Sequence, residues 1–436
     1  MRVIDWHSSS AEARRAALAR PAADSRDEVF RQAAAIIAAV RTEGDAAVRR
    51  FTQQFGGAAV DSLCVSDQEF RDARAALPPQ QIAALERAVA NVERFHEAQR
   101  CETLSVETMP GVRCERITRA IDSVGLYVPA GSAPLPSTAI MLGVPARIAG
   151  CRARAIASSP GPDGKLHAAV LVAAQLCGID TVYKMGGAQA IAALAFGTGS
   201  VRKVDKIFGP GSAWVTAAKQ IVAADPAGAA IDLPAGPSEV LVIADDSANA
   251  RFVAADLLAQ AEHDSIAQVM LVTTSKALAA KVADELAAQT RMLSRRDIVT
   301  QSMAGSRCIL VTDLATAVTV SNEYAPEHLI IQTREPRALL AQVSSAGSVF
   351  LGEWSPESIG DYCSGTNHVL PTFGYARSYS GVSLLDYQKR ITVQELSADG
   401  LRALGPTAVT LSAMEGLDAH GNAVRVRLSA LNGEAP

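Results

Sequence analysis

Residues 239–274, EVLVIADDSANARFVAADLLAQAEHDSIAQVMLVTT, hold the fold in miniature. EVLVIAD and AQVMLVTT are short apolar, β-branched runs, and the segment between them, from about Ala248, is Ala-rich with helical spacing. Strand, helix and strand in that order predict a βαβ unit with parallel strands. Working outward toward the C-terminus, RCILVTD, HLIIQT and SVFLG repeat the strand signal, with helices beginning near Lys276, Leu314 and Pro336. Toward the N-terminus, DSVGLYV, RARAIAS, TVYK, KIF and AIDL form a second series, with helices beginning near Ser137, Lys165, Ala188 and Ser212. The two arrays meet at PAGPSE, residues 234–239, a Pro/Gly-rich turn suited to a hinge or crossover.

Outside the arrays the pattern changes. From Asp27 to about Arg100, VFRQAAAIIAAVRTEGDAAVRRF and QIAALERAVANVERFHEA carry apolar residues at three-to-four spacing, an N-terminal helical layer. Val106 to Val128 turns strand-like around Pro110-Gly111. After Gly374 the alternation stops, and the remainder reads as amphipathic helices with no strand to pair with, a tail that must dock on something. The fold class is therefore α/β: two incomplete, Rossmann-like parallel-sheet lobes flanking a cleft, with an N-terminal helical segment and a helical C-terminal tail. The expected division is an arm over 1–24, a larger lobe over 25–125 plus 239–378, a second lobe over 126–238, and the tail over 379–436.

A length of 436 residues predicts roughly three domains or lobes and ample core. A net charge of -4, with Lys and Arg scattered, argues against nucleic acid as a partner. The opening MRVIDWHSSSAEARRAALARP lacks an apolar signal core, and the longest apolar runs are too short to span a bilayer, so no membrane association and a cytoplasmic location are expected. The seven cysteines are odd in number and contain no CxxC pair, which points away from a disulfide framework and from a thiolate zinc site.

Several constellations have chemistry in them. In LLAQAEHDS, Gln260 and His263 stand three apart at a helix end, on one face, where they can share a metal or serve only as a favourable terminal charge. Asp361 and His368 lie in the turn-rich IGDYCSGTNH, and His420 precedes Gly421 at an expected helix end. One Gln, one Asp and two His make a mixed nitrogen and oxygen set suited to zinc. APEHL puts Glu327 and His328 side by side at the mouth of a strand, a pair suited to proton transfer if the strand is irregular there, since neighbouring strand residues face opposite ways. Cys363 is a candidate thiohemiacetal nucleophile or a small packed residue. His7, His96 and His167 read as solvated or capping residues. No GxGxxG follows a strand, and GGAQA (186–190) and GPGS (209–212) are partial substitutes that place glycines before helix N-termini.

DLPAGPSEVLV, QAEHD, APEHL, GDYCSGTNHVLPT, SYSGVS, YQKRITVQ and EGLDAH, in that order, resemble the motif series of the histidinol dehydrogenase family across nearly the whole chain. The resemblance implies four-electron oxidation of L-histidinol to L-histidine through L-histidinal, the last two steps of histidine biosynthesis, with one Zn2+ per subunit and NAD. It implies that Gln260, His263, Asp361 and His420 bind the zinc and, with Ser238, His328, His368 and Glu415, contact the substrate. Glu327 and His328 are then the catalytic pair, in the larger lobe. Tyr127, Gln189 and Ser212 fall on the NAD positions of the second lobe, with Ser212 where the family pattern carries Asn. The tail, with Glu415 and His420, would reach the cleft of a second copy in a domain-swapped homodimer. Two other readings stay open at this point. One is a related zinc and NAD dehydrogenase acting on another polar alcohol, such as a sulfonated diol; the other is a non-catalytic two-lobed solute-binding protein.

Overall fold

The three-dimensional structure, a computed structural model, describes residues 1–20, 26–56, 59–130, 133–234 and 236–433. Residues 21–24 of the expected arm and Ala235 of the PAGPSE turn lie outside the described residues. Among the described residues fourteen strands occur in the order β1 (Arg2–Asp5), β2 (Leu104–Met109), β3 (Val112–Ala120), β4 (Ser123–Val128), β5 (Ala153–Ser158), β6 (Thr181–Lys184), β7 (Lys206–Phe208), β8 (Ala230–Ile231), β9 (Glu239–Ala244), β10 (Gln268–Thr273), β11 (Arg307–Leu310), β12 (His328–Gln332), β13 (Ser348–Leu351) and β14 (Gln388–Leu396). The chain divides into two compact units, residues 1–99 with 121–387 and residues 100–120 with 388–436.

The first unit contains two parallel sheets. One is six-stranded, in the order β1-β11-β10-β9-β12-β13, and the other five-stranded, in the order β6-β5-β4-β7-β8. Both arrays read from the sequence thus fold as expected. Every residue of β9 and β10 is buried, because helices cover both faces of a parallel sheet and leave no solvent side for polar alternation. The connecting helix Ala250–Ala261 starts where the Asn249 side chain accepts the Arg251 N–H. It buries Val253, Ala254, Leu257 and Leu258 against the sheet, each of the larger side chains contributing about 2 kcal/mol.

The N-terminal helices pack on the five-stranded sheet and its helices. Ile36, Ile37 and Val40 share a core with Ile191, Val215 and Val222, while Val89 and Val92 join Val124 and Ile140. The segment after β13 joins the same region: Val369, Val382, Leu384 and Tyr387 lie in the core of β4. β1, with an exposed and barely alternating RVID, gave no sequence signal, yet it pairs in parallel with β11 as the sheet's edge.

The second unit corrects the expectation of a tail without strands. β14 pairs antiparallel with β3 from Gln388↔Ala120 to Leu396↔Val112, and β2 completes a three-stranded sheet. Most β14 side chains are exposed, so QKRITVQEL carries no apolar alternation from which a strand could be read. The helices Ala398–Met414 and Asp418–Leu431 follow as expected. Among the described residues no helix is long and apolar enough to cross a membrane.

Candidate active site

The charged centre of the first unit lies at the amino edge of the six-stranded sheet. His328 is the first residue of β12 and Glu239 the first of its neighbour β9, with His328 in register with Val240. The helix Leu314–Tyr324 ends at Ala325, whose φ of 54° reverses the chain before Pro326 and Glu327. Glu327 therefore stands ahead of the strand pleat, and its Oε2 comes within 3.6 Å of His328 Nδ1. The strand mouth is irregular, and it brings these two adjacent side chains to one place.

Backbone groups of Glu239 orient the pair. Its N–H donates to Glu327 Oε2 at 2.8 Å, and its carbonyl accepts from His328 Nδ1 at 3.1 Å. A carbonyl can only accept, so Nδ1 carries a proton and Nε2 is the nitrogen that titrates. Nε2 faces Asp361 Oδ1 at 3.3 Å. Burial disfavours charge on the ring, but Glu327 and Asp361 outweigh it and hold the His328 pKa well above the usual value. Burial also raises the Asp361 carboxyl, yet the His328 hydrogen bond and charge, with His368 and His263, pull it below its ordinary range.

Gln260 occupies the last turn of Ala250–Ala261 and is 1% exposed. In the amide orientation that satisfies both ends, its nitrogen donates to Glu357 at 3.0 Å and its oxygen accepts from the Glu239 N–H at 3.3 Å. His263 follows in the turn, exposed, its N–H bonded to the Gln260 carbonyl. Asp361 comes from the short helix Glu357–Tyr362. Half-buried His368 sets its Nε2 3.5 Å from Thr138 Oγ1, and Ser238 immediately precedes β9. The structure thus gathers Gln260, His263, Glu327, His328, Asp361, His368 and Ser238 around one edge. Among the described residues no three or more His, Cys, Asp or Glu side chains form a ready metal cluster.

Sequence reading missed four side chains here. Glu357 is 1% exposed, and burial among other carboxylates holds its carboxyl well above the usual range. Asp256, one helical turn before Gln260, accepts from Gln332 at 2.7 Å and is pushed up to about 7 by burial. Glu239 and its partner Arg20 complete the set. The available signal was a charged residue heading an otherwise apolar strand, in PAGPSEVLV; Glu357, in SPESIG, had none.

Other candidates resolve differently. Cys363 packs at the margin of an apolar cluster and offers its carbonyl to Asn91, the packed alternative. His167 caps the helix Ala168–Leu176 and His7 is exposed, but His96 is a buried core histidine at 1% exposure, bonded to the Val92 carbonyl at 2.8 Å. Glu415 caps the helix Ala398–Met414, and His420 sits in the first turn of Asp418–Leu431. Both are exposed residues of the second unit.

The carboxyl edge of the five-stranded sheet carries the remaining three. Tyr127, near the end of β4, accepts the Gly187 N–H on its hydroxyl at 3.0 Å. Gln189 is buried at the head of its helix, and its Oε1 has no hydrogen-bond partner among the described residues. Gly209 has φ of 123°, and a Cβ there would lie 2.1 Å from the Tyr127 carbonyl oxygen, so only glycine fits. Its N–H donates to Asp232 at 2.7 Å and its carbonyl accepts from buried Lys219 at 2.9 Å, which pins the turn before Ser212. Ser212 is an exposed N-cap whose side chain makes no capping bond.

Residues 18–428 match the family defined as histidinol dehydrogenase. A histidinol dehydrogenase of Vibrio vulnificus (strain CMCP6) is 54% identical over 432 residues, covering 99% of both chains. One from Xanthomonas campestris pv. campestris (strain 8004) is 55% identical over 428 residues, covering 98% of this chain and 99% of its own. The crystal structure of histidinol dehydrogenase from Elizabethkingia anophelis superposes with a TM-score of 0.94 at 43% identity, covering 99% of each chain. These likenesses exclude the non-catalytic solute-binding reading, and with the α/β fold and the charged edge in place, the chain belongs to the histidinol dehydrogenase family of oxidoreductases.

Proposed function

We propose that the protein oxidises L-histidinol to L-histidine through L-histidinal, using one zinc ion per subunit and NAD, as the last two steps of histidine biosynthesis. The observation that carries this reading is the Glu327-His328-Asp361 arrangement, two proton-handling groups oriented by one strand's backbone beside a carboxylate kept ionised by imidazoles. Family membership supplies the substrate class.

Gln260, His263, Asp361 and His420 would hold the metal. An amide oxygen, two imidazoles and a carboxylate suit zinc and leave positions open for substrate nitrogens. Burial holds Glu357 toward neutrality, and the further push from Asp361, Asp256 and Glu327 marks a site rich in carboxylates, which favours a cation. Tyr127, Gln189 and Ser212 would bind NAD. The unpartnered, buried Gln189 oxygen supports a ligand here, and the Gly209 turn, packed against the Tyr127 carbonyl, leads into the helix N-terminus at Ser212 that suits a phosphate. When bound, the metal supplies an orienting template for the imidazole and amino nitrogens of the substrate, and the dinucleotide accepts hydride.

His328 Nε2, once its own proton has passed to solvent, takes the alcohol proton as the carbonyl forms. Glu327 then removes a proton from water as its oxygen adds to the aldehyde carbon, and His328, after releasing the first proton to solvent, accepts the hydroxyl proton of the hydrate in the second oxidation. Ser238, His368 and Glu415 would complete the substrate contacts. The tail is proposed to reach a partner subunit, and exposed Leu411, Met414, Leu417 and Val426 in the second unit support a covered surface there. Mixing His328→Asn and His420→Asn subunits, each inactive alone, should restore activity only if the site is shared between copies.

The deciding experiment adds L-histidinol and NAD to purified protein and follows NADH to completion, with and without chelation and zinc restoration. Two NADH per histidinol, lost on chelation and regained with zinc, is the expected result; no NADH removes the reading.

A further inference from the structure

We propose that Arg20 and Glu239 are positioning residues for the reaction, a buried guanidinium–carboxylate pair that fixes the mouth of β9 against the kink that delivers Glu327 and His328 to the mouth of β12. The inference rests on the reading of those two residues as the proton-transferring pair.

Arg20 lies just past the helix Ala11–Leu18, far from Glu239 in sequence, yet it grips that carboxylate through both arms of its fork, Nε to Oε1 at 2.5 Å and Nη2 to Oε2 at 2.9 Å. The two side chains are 13% and 2% exposed. The same Nη2 donates to the Tyr324 carbonyl at 2.8 Å and the Ala325 carbonyl at 3.4 Å, and the guanidinium lies 4.0 Å from the centre of the Tyr324 ring. Arg20 therefore ties the start of β9 to the kink that delivers Glu327 and His328. Tyr324 is fixed in turn, its hydroxyl donating to Gln268 at 2.6 Å, and Gln268 donates to the Ala19 carbonyl at 3.3 Å.

On the other side of the pair, Glu239 Oε1 accepts the Phe373 N–H at 3.1 Å. Ala325, at 54°, and Phe373, at 56°, are the non-glycine residues with left-handed φ among the described residues, and the pair holds one with each member. Such conformations persist only where surrounding contacts over-determine them. Buried ion pairs generally stabilise no better than apolar replacements, so fold stability alone does not account for this one. Its bonds end instead on the backbone that sets the catalytic geometry: the Glu239 N–H to Glu327, and the Glu239 carbonyl to His328.

The test uses full-length, zinc-loaded protein and steady-state NADH formation from L-histidinol. Arg20→Lys keeps the charge but loses the fork, and should lower kcat on the order of tenfold with KM for histidinol and NAD unchanged. Arg20→Met combined with Glu239→Gln removes both charges, so no buried carboxylate is stranded. It should lower kcat about 100-fold while zinc content and the melting temperature stay near wild type. Full kcat in either folded variant, or a loss falling on KM instead, overturns the inference. Failure of the underlying reading is separate, because it appears as absence of NADH in the wild-type protein.

Discussion

Two edges of the same unit use the same βα architecture in opposite ways. At the five-stranded sheet the residues proposed to bind NAD follow the strands, where glycine turns and helix N-termini present N–H groups, the usual ligand edge of a parallel sheet. At the six-stranded sheet they precede the strands, where the helices Ala250–Ala261 and Leu314–Tyr324 present their carbonyl ends. N-termini favour anions and C-termini favour cations, so one edge suits a phosphate and the other a protonated imidazole, a guanidinium or a metal ion. The charged groups follow that division: Arg20 donates to the carbonyls of Tyr324 and Ala325, whereas the Gly209 turn is held by backbone and by one buried Lys219-Asp232 pair.

The comparison breaks most readily at His328. His328→Asn should reduce kcat by ~10² to 10⁴ while leaving NAD binding, measured by fluorescence titration, within twofold of wild type. Glu327→Gln should impose a comparable loss on oxidation of histidinal supplied directly, and full activity there would remove its role with water. Equal damage to dinucleotide affinity would mean that the two edges are not separable.

Stability against pH tests the ionic side. Asp256 is pushed from 3.8 up to about 7 by burial. Between those values the folded protein keeps a proton that the unfolded chain has released, so this group's contribution to stability falls as pH rises, by about 4 kcal/mol in all. Asp256→Asn keeps an acceptor for Gln332 and should gain on wild type in urea unfolding from pH 4 to pH 7. Parallel curves would show that the group does not titrate there.

The glycine edge is probed by Gly209→Ala, whose Cβ would collide with the Tyr127 carbonyl. A stability loss of about 1–3 kcal/mol is expected, with KM for NAD raised and KM for histidinol unchanged. The smallest effect expected is at Ser212, where Asn should add one hydrogen bond worth about 1 kcal/mol and lower KM for NAD about fivefold. An unchanged KM would place the amide away from the cofactor.

The sequence by itself determined both parallel sheets, because a strand buried on both faces needs an unbroken apolar run, and EVLVIA, QVMLVT and HLIIQ in one sheet and SVGLYV in the other are such runs. Its ordered motifs also singled out Glu327, His328, Gln260, His263 and Asp361. Local pattern failed where residues are exposed or solitary: β1 pairs as a short edge, β14 owes its existence to nine register partners in β3, and His96 lies in the core without any periodic mark. Only the tertiary structure decided that Arg20 meets Glu239, that Glu357 and Asp256 line the same edge, and that Ala325 turns Glu327 back toward His328. Such pairings depend on chain segments up to hundreds of residues apart. Periodicity reports which face of an element is buried, whereas these contacts depend on what each element is buried against.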